Sequence, residues 1–319
     1  MHFKGAETFV LPDHFCKTTI YVKFYLVASM NLHTTCIVCR SSQIHPLPRY
    51  YEKHSLVKCG SCKLVFAHKT PSIEELNDHY KFYSYAGEAQ LSEMTKAAYS
   101  KLLDEFEKFR KTNRILDTGC GRGWFLEEAK KRGWEVYGTE FSEAAIEVCT
   151  KKGIQMKRGA LSLDQFESNF FDVITSIEVI EHINNPLTDL EVIHSFLRSG
   201  GLFYCTTPNF NSVMRYYLKE KYNVIEYPEH LTYYTKKTLT FAIEKFPFKR
   251  YKFLSTGISI TRIKQSLSKP DVQVNHSNDE NMREAISKKW YLDLAKRILN
   301  TLFTWTNTGL TLKAYYIKK

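Results

Sequence analysis

No apolar run in these 319 residues approaches the roughly 18 residues of a membrane-crossing helix, so no membrane span is expected. An A-x-A-like cleavage site is also missing near the start. The one short apolar stretch there, IYVKFYLVASM, carries Lys23 in its interior, which argues against a secretory signal. Residues 1–30 are therefore read as an extension expected to be disordered, with Met30 as an alternative start, and the expected location is cytoplasmic. Acid is in short supply: 34 Asp and Glu against 45 Lys and Arg leave a net charge of +11. Such a surplus suits nucleic acid, anionic lipid or a phosphorylated ligand. The lysines are scattered, however, so charge alone selects none of these. A disulfide scaffold is absent too, because four of the eight cysteines fall into two tight pairs. What remains is an ordinary globular composition, 43% hydrophobic and 25% charged, on a chain long enough for one large domain and a smaller module.

The cysteine pairs are Cys36-x2-Cys39 and Cys59-x2-Cys62, with 19 residues between them. Each C-x-x-C turn aims two thiolates at one point, and two such turns make the four-sulfur tetrahedron of a structural zinc site. Four thiolates leave no open position for catalysis. A redox dithiol would explain one pair but not two. Gly60 is expected to ease the second turn through a positive φ. His33, His45, His54 and His68 are expected to face solvent rather than the metal. Between the knuckles, IHPLPRYY reads as a loop or short edge strand because of its prolines. Residues 31–70 are thus a four-cysteine zinc ribbon, and 71–112 a helical linker. In that linker Thr70 or Ser72 caps a first helix. A second helix sets Leu102, Leu103, Phe106 and Phe109 on one face.

RILDTGCGRGWFLEEAKKRGWEVYGTEFS follows. It reads as strand, glycine loop, helix ended by Gly133, and second strand: a β-α-β unit. The dinucleotide pattern G-x-G-x-x-G would need a glycine at 124, where the chain has Trp124. The spacing is D-x-G-x-G-x-G instead. Asp117 before the loop would accept from an ammonium group and repel a pyrophosphate. Glu140 at the end of the second strand is placed to hold ribose hydroxyls. Ribose, an amino-acid tail and no phosphate describe S-adenosylmethionine. Trp124 is expected to pack the first helix on the sheet, and Cys120 to be a small packing residue.

Four segments in register, ILDTGCGRG, GTEFS, FDVITSIEVIEHINNP and LRSGGLFYCTTPN, resemble class I S-adenosylmethionine-dependent methyltransferases over about residues 113–210. The resemblance implies an α/β fold: a Rossmann-like seven-stranded sheet over 113–319 with an antiparallel last strand, GLTLKAYYIKK. It implies that Asp117, Gly119, Gly121 and Gly123 wrap the methionine part of the cofactor. Glu140 with Phe141 would hold the ribose, and Ala160 with Leu161 would touch the adenine. The zinc head and the PEHL stretch after the fifth strand are similar to those of bacterial methyltransferases that act on sugars, including nucleotide-linked deoxysugars. Arg40 and Lys63 stand where those relatives often have glycine after each knuckle.

The fourth strand ends at Glu181-His182, and the helix after it is expected to stop at Gly200-Gly201. An aromatic insertion, 209–235, then covers the acceptor and contains YPEHLTYY. Methyl transfer to an alcohol or an enolisable carbon needs a base. His230 and His182 are the candidates, with Glu229 as orienter or second base, and Tyr83, Tyr85, Tyr233 and Tyr234 as acceptor contacts. Thr235 caps the next helix. The amphipathic WYLDLAKRILNTLFTWT is expected to pack on the core, with membrane contact or dimerisation as alternatives. The function expected is methylation of a small molecule, a sugar or glycan precursor such as a nucleotide-linked sugar. RNA methylation by way of the zinc head and basic surface is the alternative, but no N-P-P-[YF] motif follows the fourth strand. A non-enzymatic zinc-ribbon adaptor is opposed by the intact glycine loop.

Overall fold

A computed structural model of the chain describes residues 32–72, 75, 91–259 and 290–319. The extension 1–30, Tyr83, Tyr85 and the polar stretch 270–285 lie outside the described residues. The elements run β1 (Ile44–Pro46), α1 (Pro48–His54), β2 (Leu56–Cys59), β3 (Val65–Ala67), α2 (Glu93–Phe106), β4 (Arg114–Thr118), α3 (Trp124–Lys131), β5 (Glu135–Glu140), α4 (Glu143–Lys151), β6 (Gln155–Arg158), β7 (Phe171–Ile177), α5 (Pro186–Phe196), β8 (Leu197–Pro208), α6 (Val213–Leu218), β9 (Thr232–Tyr233), α7 (Lys236–Ile243), β10 (Phe248–Thr256), α8 (Trp290–Thr306) and β11 (Thr311–Lys318).

Seven strands form one sheet in the order β10-β11-β8-β7-β4-β5-β6. β11 is antiparallel to both neighbours and the other pairings are parallel, as a Rossmann-like sheet with a reversed last strand requires. The inner strands read as continuous apolar runs because both faces are covered. Phe171, Val173 and Ile174 of β7 and Leu202 and Phe203 of β8 are fully buried. One face packs α2 and α3 through Leu103, Phe106, Phe125 and Leu126. The other packs α5 and α7 through Leu190, Phe196 and Leu239. Helix starts follow local chemistry. Ser142 accepts from the Ala145 N–H at α4, and Thr235 with Thr238 forms a reciprocal capping box at α7. Strand order reverses between β4 and β7, and the crevice at such a switch point is where open α/β sheets bind ligands.

A second sheet, β1-β2-β3-β9, carries the cysteine knuckles. Its last strand comes from the insertion, with Val65 opposite Tyr233 and Phe66 opposite Thr232. The ribbon is therefore completed by a strand from the far side of the β8 connection. Its apolar face, Cys36, Val57 and Phe66, runs into the core of the large sheet.

Several sequence expectations need correcting. IHPLPRYY divides: Ile44–Pro46 is the short edge strand β1, as expected, but Pro48 starts α1, where its missing N–H costs nothing. Helix α5 ends at Phe196, and residues 197–200 already belong to β8, so the Gly200-Gly201 pair is not a helix stop. Gly201 is needed for closeness, since a Cβ there would stand 2.9 Å from the carbonyl oxygens of Arg198 and Asp172. Trp124 is only half-buried, and Phe125, Leu126 and Ala129 make the helix-to-sheet contact instead. Helix α8 buries none of its residues among those described. Trp290 and Trp305 are exposed; Thr304 donates to the Ser255 carbonyl of β10 and Asn300 accepts from the Gly257 N–H just after it.

Candidate active site and cysteine cluster

β4 delivers Asp117 into the crevice, and the glycine loop turns back over it. Gly119, Gly121 and Gly123 all lie in the left-handed region, at φ of 61°, 53° and 68°. Their needs differ. A Cβ on Gly119 would meet Val179 at 2.8 Å, and one on Gly123 would meet Ile154 at 2.5 Å and the Cys149 Sγ at 2.8 Å. These two let the loop sit against the sheet ends. A Cβ on Gly121 would meet nothing within 4 Å, so this glycine faces open space where a ligand can approach the backbone.

Asp117 is buried, and its Oδ1 accepts a 2.6 Å hydrogen bond from the Thr175 hydroxyl on β7. Burial pushes its carboxyl up to about 7; the Glu140 charge adds to that rise and the Thr175 bond opposes it. Glu140 ends β5. One carboxylate oxygen accepts from the Gly121 N–H at 3.0 Å, and the other accepts from the Phe141 and Ser142 N–H groups at 2.9 and 3.2 Å. Glu140 thus ties the glycine loop to the start of α4. Phe141 beside it is 69% exposed, an aromatic face at the lip of the crevice. After β6 the Gly159 N–H donates to the Glu140 carbonyl at 2.9 Å, which sets Ala160 next to Glu140. Leu161 turns its side chain into the core.

The loop after β7 approaches from the other side. Glu178 takes a positive φ of 53°, and a short 3-10 turn, Ile180–His182, follows. Glu181 is 2% exposed, and its Oε2 accepts from the Thr207 hydroxyl of β8 at 2.9 Å. Burial, and next the Glu178 charge, hold its carboxyl well above the usual carboxylate range. The insertion is pinned onto this turn, since the Leu231 N–H donates to the Glu181 carbonyl at 2.8 Å. The His182 and His230 rings meet edge to face with centroids 4.8 Å apart. His182 Nδ1 lies 2.7 Å from the Glu229 carbonyl, and His230 Nδ1 lies 2.7 Å from the Val224 carbonyl. A carbonyl only accepts, so both rings donate from Nδ1, and Nε2 is the remaining ring nitrogen of each.

The Sγ atoms of Cys36, Cys39, Cys59 and Cys62 all lie within 4.8 Å of one another. Cys36 to Cys62 is 3.6 Å and Cys39 to Cys59 is 3.4 Å, close to the about 3.8 Å of sulfurs around a tetrahedral zinc. Arg40 and Lys63, the residues standing where glycine is common, adopt φ of 63° and 68°. Both knuckles thus keep the glycine-type turn without glycine. Gly60 does not take a positive φ. Its bare α-carbon instead admits Gln43, whose Cβ would stand 3.1 Å from a Gly60 Cβ.

A methyltransferase-domain family profile matches residues 90–250, half of the chain. The chain belongs to the methyltransferase-domain family. Among curated relatives, the ubiquinone biosynthesis O-methyltransferase of Ruegeria sp. (strain TM1040) is 33% identical over 127 residues, 35% of this chain and 50% of the relative. Its counterpart in Pseudomonas aeruginosa (strain LESB58) is 29% identical over 105 residues, 31% of this chain and 45% of that protein. The chain spans about half the length of the curated relatives it matches. A solved structure from Galdieria sulphuraria, a candidate sarcosine dimethylglycine methyltransferase, superposes with a TM-score of 0.50 at 14% identity, covering 76% of this chain and 98% of that one. That likeness bears on the fold.

In this methyltransferase-domain protein, Asp117, the three glycines, Glu140, Phe141 and Ala160 gather at the switch point. His182, Glu229 and His230 gather across from them. The Glu229 backbone carbonyl bonds the His182 ring, and the Val224 carbonyl bonds that of His230. Tyr233 and Tyr234 are 4% and 0% exposed and belong to the packing, with the Tyr233 hydroxyl donating to the His230 carbonyl. His54 is also buried rather than solvent-facing, and His33 reaches Asn184 at 3.0 Å. Sequence reading passed over Thr175, Thr207 and Val224 as site supports. Nothing in a lone Thr or a backbone carbonyl signals such a role before the strands are paired. Among the described residues, no helix is long and apolar enough to cross a membrane.

Proposed function

We propose that this chain transfers a methyl group from S-adenosylmethionine to a small-molecule acceptor. The observation that carries the reading is the contact of Gly119 with Val179, which sets the donor cradle directly against the turn bearing Glu181 and His182. The open side of Gly121 and the carboxylates of Asp117 and Glu140 fit a ligand with an ammonium group and a ribose. S-adenosylmethionine, when bound, supplies the electrophilic methyl on its sulfonium. Asp117 would hold the amino group and Glu140 the ribose hydroxyls, with Phe141 and Ala160 along the adenosine. His230 and His182 offer Nε2 lone pairs to the acceptor's proton, each ring held in register by a backbone carbonyl. The Cys36, Cys39, Cys59 and Cys62 set would hold a structural zinc.

The acceptor class best supported by the zinc head with PEHL is a sugar or glycan precursor. The relatives named as ubiquinone biosynthesis O-methyltransferases align over only about half their length, and they favour methylation at oxygen. Assaying sugar nucleotides, hydroxylated quinone precursors and RNA side by side separates these; tight, salt-dependent RNA retention on a filter would favour the RNA reading.

Glu140→Ala is expected to weaken S-adenosylmethionine binding by about 10- to 100-fold in calorimetry, the worth of charge-assisted hydrogen bonds. Unchanged affinity in both Asp117→Ala and Glu140→Ala would refute the cofactor assignment. Asp117 also predicts a pH dependence. Its carboxyl titrates near 7 in the free protein, and an ammonium partner favours the charged form. Binding should release a proton below about pH 7, affinity should rise with pH up to that value, and it should level off above. Asp117→Asn should flatten the profile; a wild-type profile already flat between pH 6 and 8 would contradict the assignment.

A further inference from the structure

We propose that Glu181, His182 and His230 form a second metal site, which takes a divalent transition-metal cation of the zinc type beside the methyl donor. As an account of how the acceptor is bound, this rests on the methyltransferase reading; as a statement about metal binding, it stands on the geometry alone.

Three observations carry it. First, one ligand atom from each of the three residues lies within 4.8 Å of the others, and His182 Nε2 is 3.9 Å from Glu181 Oε1. Zinc ligands at about 2.0–2.1 Å stand roughly 3.4 Å apart, so modest rotation of two half-buried rings closes the set. Second, both imidazoles are presented in the form that metals use. Each Nδ1–H is given to a backbone carbonyl, at 2.7 Å in both cases, which leaves Nε2 as the ring atom for a metal, and for His182 that is the atom 3.9 Å from Glu181. Donation of the other ring N–H to a carbonyl is the usual support of a ligating histidine, because it fixes both tautomer and ring plane. Third, Glu181 is a buried carboxylate whose second oxygen is steadied by the Thr207 hydroxyl. A buried carboxylate is costly unless paired or bound to a metal.

The donor set also indicates the class of ion. Two imidazoles and one carboxylate suit zinc and its neighbours better than magnesium, which prefers oxygen ligands. Three protein ligands leave at least one position open, unlike the four-sulfur cluster. The turn bearing these ligands touches Gly119 through Val179, so an acceptor oxygen on the open position would lie at the donor end of the crevice. Each Nε2 serves either the ion or a proton, so with the ion bound the imidazoles are ligands and the metal takes over the base's part by lowering the pKa of the acceptor's hydroxyl; the site therefore selects acceptors that offer an oxygen to a metal.

Elemental analysis of the untagged full chain, after equilibrium dialysis against micromolar zinc, tests this. Wild-type protein is expected to hold two zinc ions per chain. His182→Ala, His230→Ala and Glu181→Gln should each hold one, the ion of the cysteine cluster, which also reports that the ribbon is folded. Glu140→Ala should lose cofactor affinity and still hold two, so failure of the donor site and failure of the metal site are read separately. One zinc per wild-type chain overturns the proposal, as do two in the His182→Ala, His230→Ala double variant. If an alanine variant holds none, Glu181→Gln decides: one ion supports the site and two overturn it.

Discussion

His230→Ala is expected to lower methyl transfer by about 10²- to 10⁴-fold while changing S-adenosylmethionine affinity less than about twofold. The range is that of losing a positioned acid–base group. His230 is placed by two residues of its own insertion, outside the proposed donor cradle. Its backbone N–H donates to the Glu226 carbonyl, and its ring Nδ1–H donates to the Val224 carbonyl. The donor loop, Asp117–Gly123, is held by other contacts: the Thr139 hydroxyl to the Gly119 N–H, Glu140 to the Gly121 N–H, and Thr175 to Asp117. Removing the imidazole therefore leaves the cradle's supports in place. Initial rates with methyl-labelled donor, on the acceptor that the wild-type chain methylates, read the first half. Calorimetry of donor binding reads the second. If turnover survives within a few-fold, the PEHL stretch is only a turn. If donor affinity falls as much as the rate, the variant has disturbed the fold.

Cys59→Ser should cost the ribbon its metal and, through it, the acceptor side of the site. Metal binding in small zinc modules is worth on the order of 10 kcal/mol and is folding energy, because no preformed site exists in the unfolded chain. Cys59 is fully buried at the end of β2. β2 pairs with β3, and β3 in turn holds β9, which starts two residues after His230. The Ala67 N–H also donates to the Leu231 carbonyl at 2.8 Å. Loosening the ribbon should release the segment carrying His230. The expected outcome is protease cleavage within residues 31–70 and 219–235, loss of the ribbon's ion and with it of any ion that needs His230, and turnover lost by at least about 10²-fold. The proposed donor cradle lies at the ends of β4, β5 and β6, away from the ribbon, so affinity for S-adenosylmethionine is expected to fall less than about threefold. An intact digestion pattern with full activity would mean that the cysteine cluster does not hold the ribbon together.

This coupling changes how the module is understood. Read along the chain, residues 31–70 look like an appended ribbon and 209–235 like a lid on a separate domain. In the folded chain they share one small sheet, and the metal-binding fold and the PEHL stretch are joined strand to strand. That gives the cysteines a function beyond stabilising their own loops. On the proposed reading they would also brace the backbone that carries His230.

Legibility from sequence followed the range of the interaction that fixes each feature. The glycine loop, Asp117 and Glu140 were readable because strand, loop and helix are contiguous and each residue type answers a local demand: a positive φ at Gly119, an acid at a strand end. The zinc knuckles were readable for the same reason, since two thiolates three residues apart share one turn. Capping at Thr235 was equally local. The order of the seven strands came with the family resemblance, and the pairing with β11 antiparallel agrees with it.

Tertiary structure alone decided which groups face each other across more than 45 residues of chain. His182 and His230 are ordinary histidines in sequence; their rings meet only because Leu231 is bonded to the Glu181 carbonyl. β9 on β3 was invisible for the same reason, and so, over 26 residues, was Thr207 on Glu181; Val224 lies only six residues before His230 but acts through a backbone carbonyl. Backbone carbonyls and lone hydroxyls carry no residue-type signal until two distant segments are brought together. Tyr233 and Tyr234 looked like acceptor contacts because tyrosine suits both a pocket and a core, and only the packing against the ribbon placed them in the core. Sequence by itself pointed to the glycine loop, Asp117 and Glu140, which one β-α-β unit brings together, while Thr175 beneath Asp117 came only with the sheet. The acceptor half was decided by the fold, because three separate segments must meet before it exists.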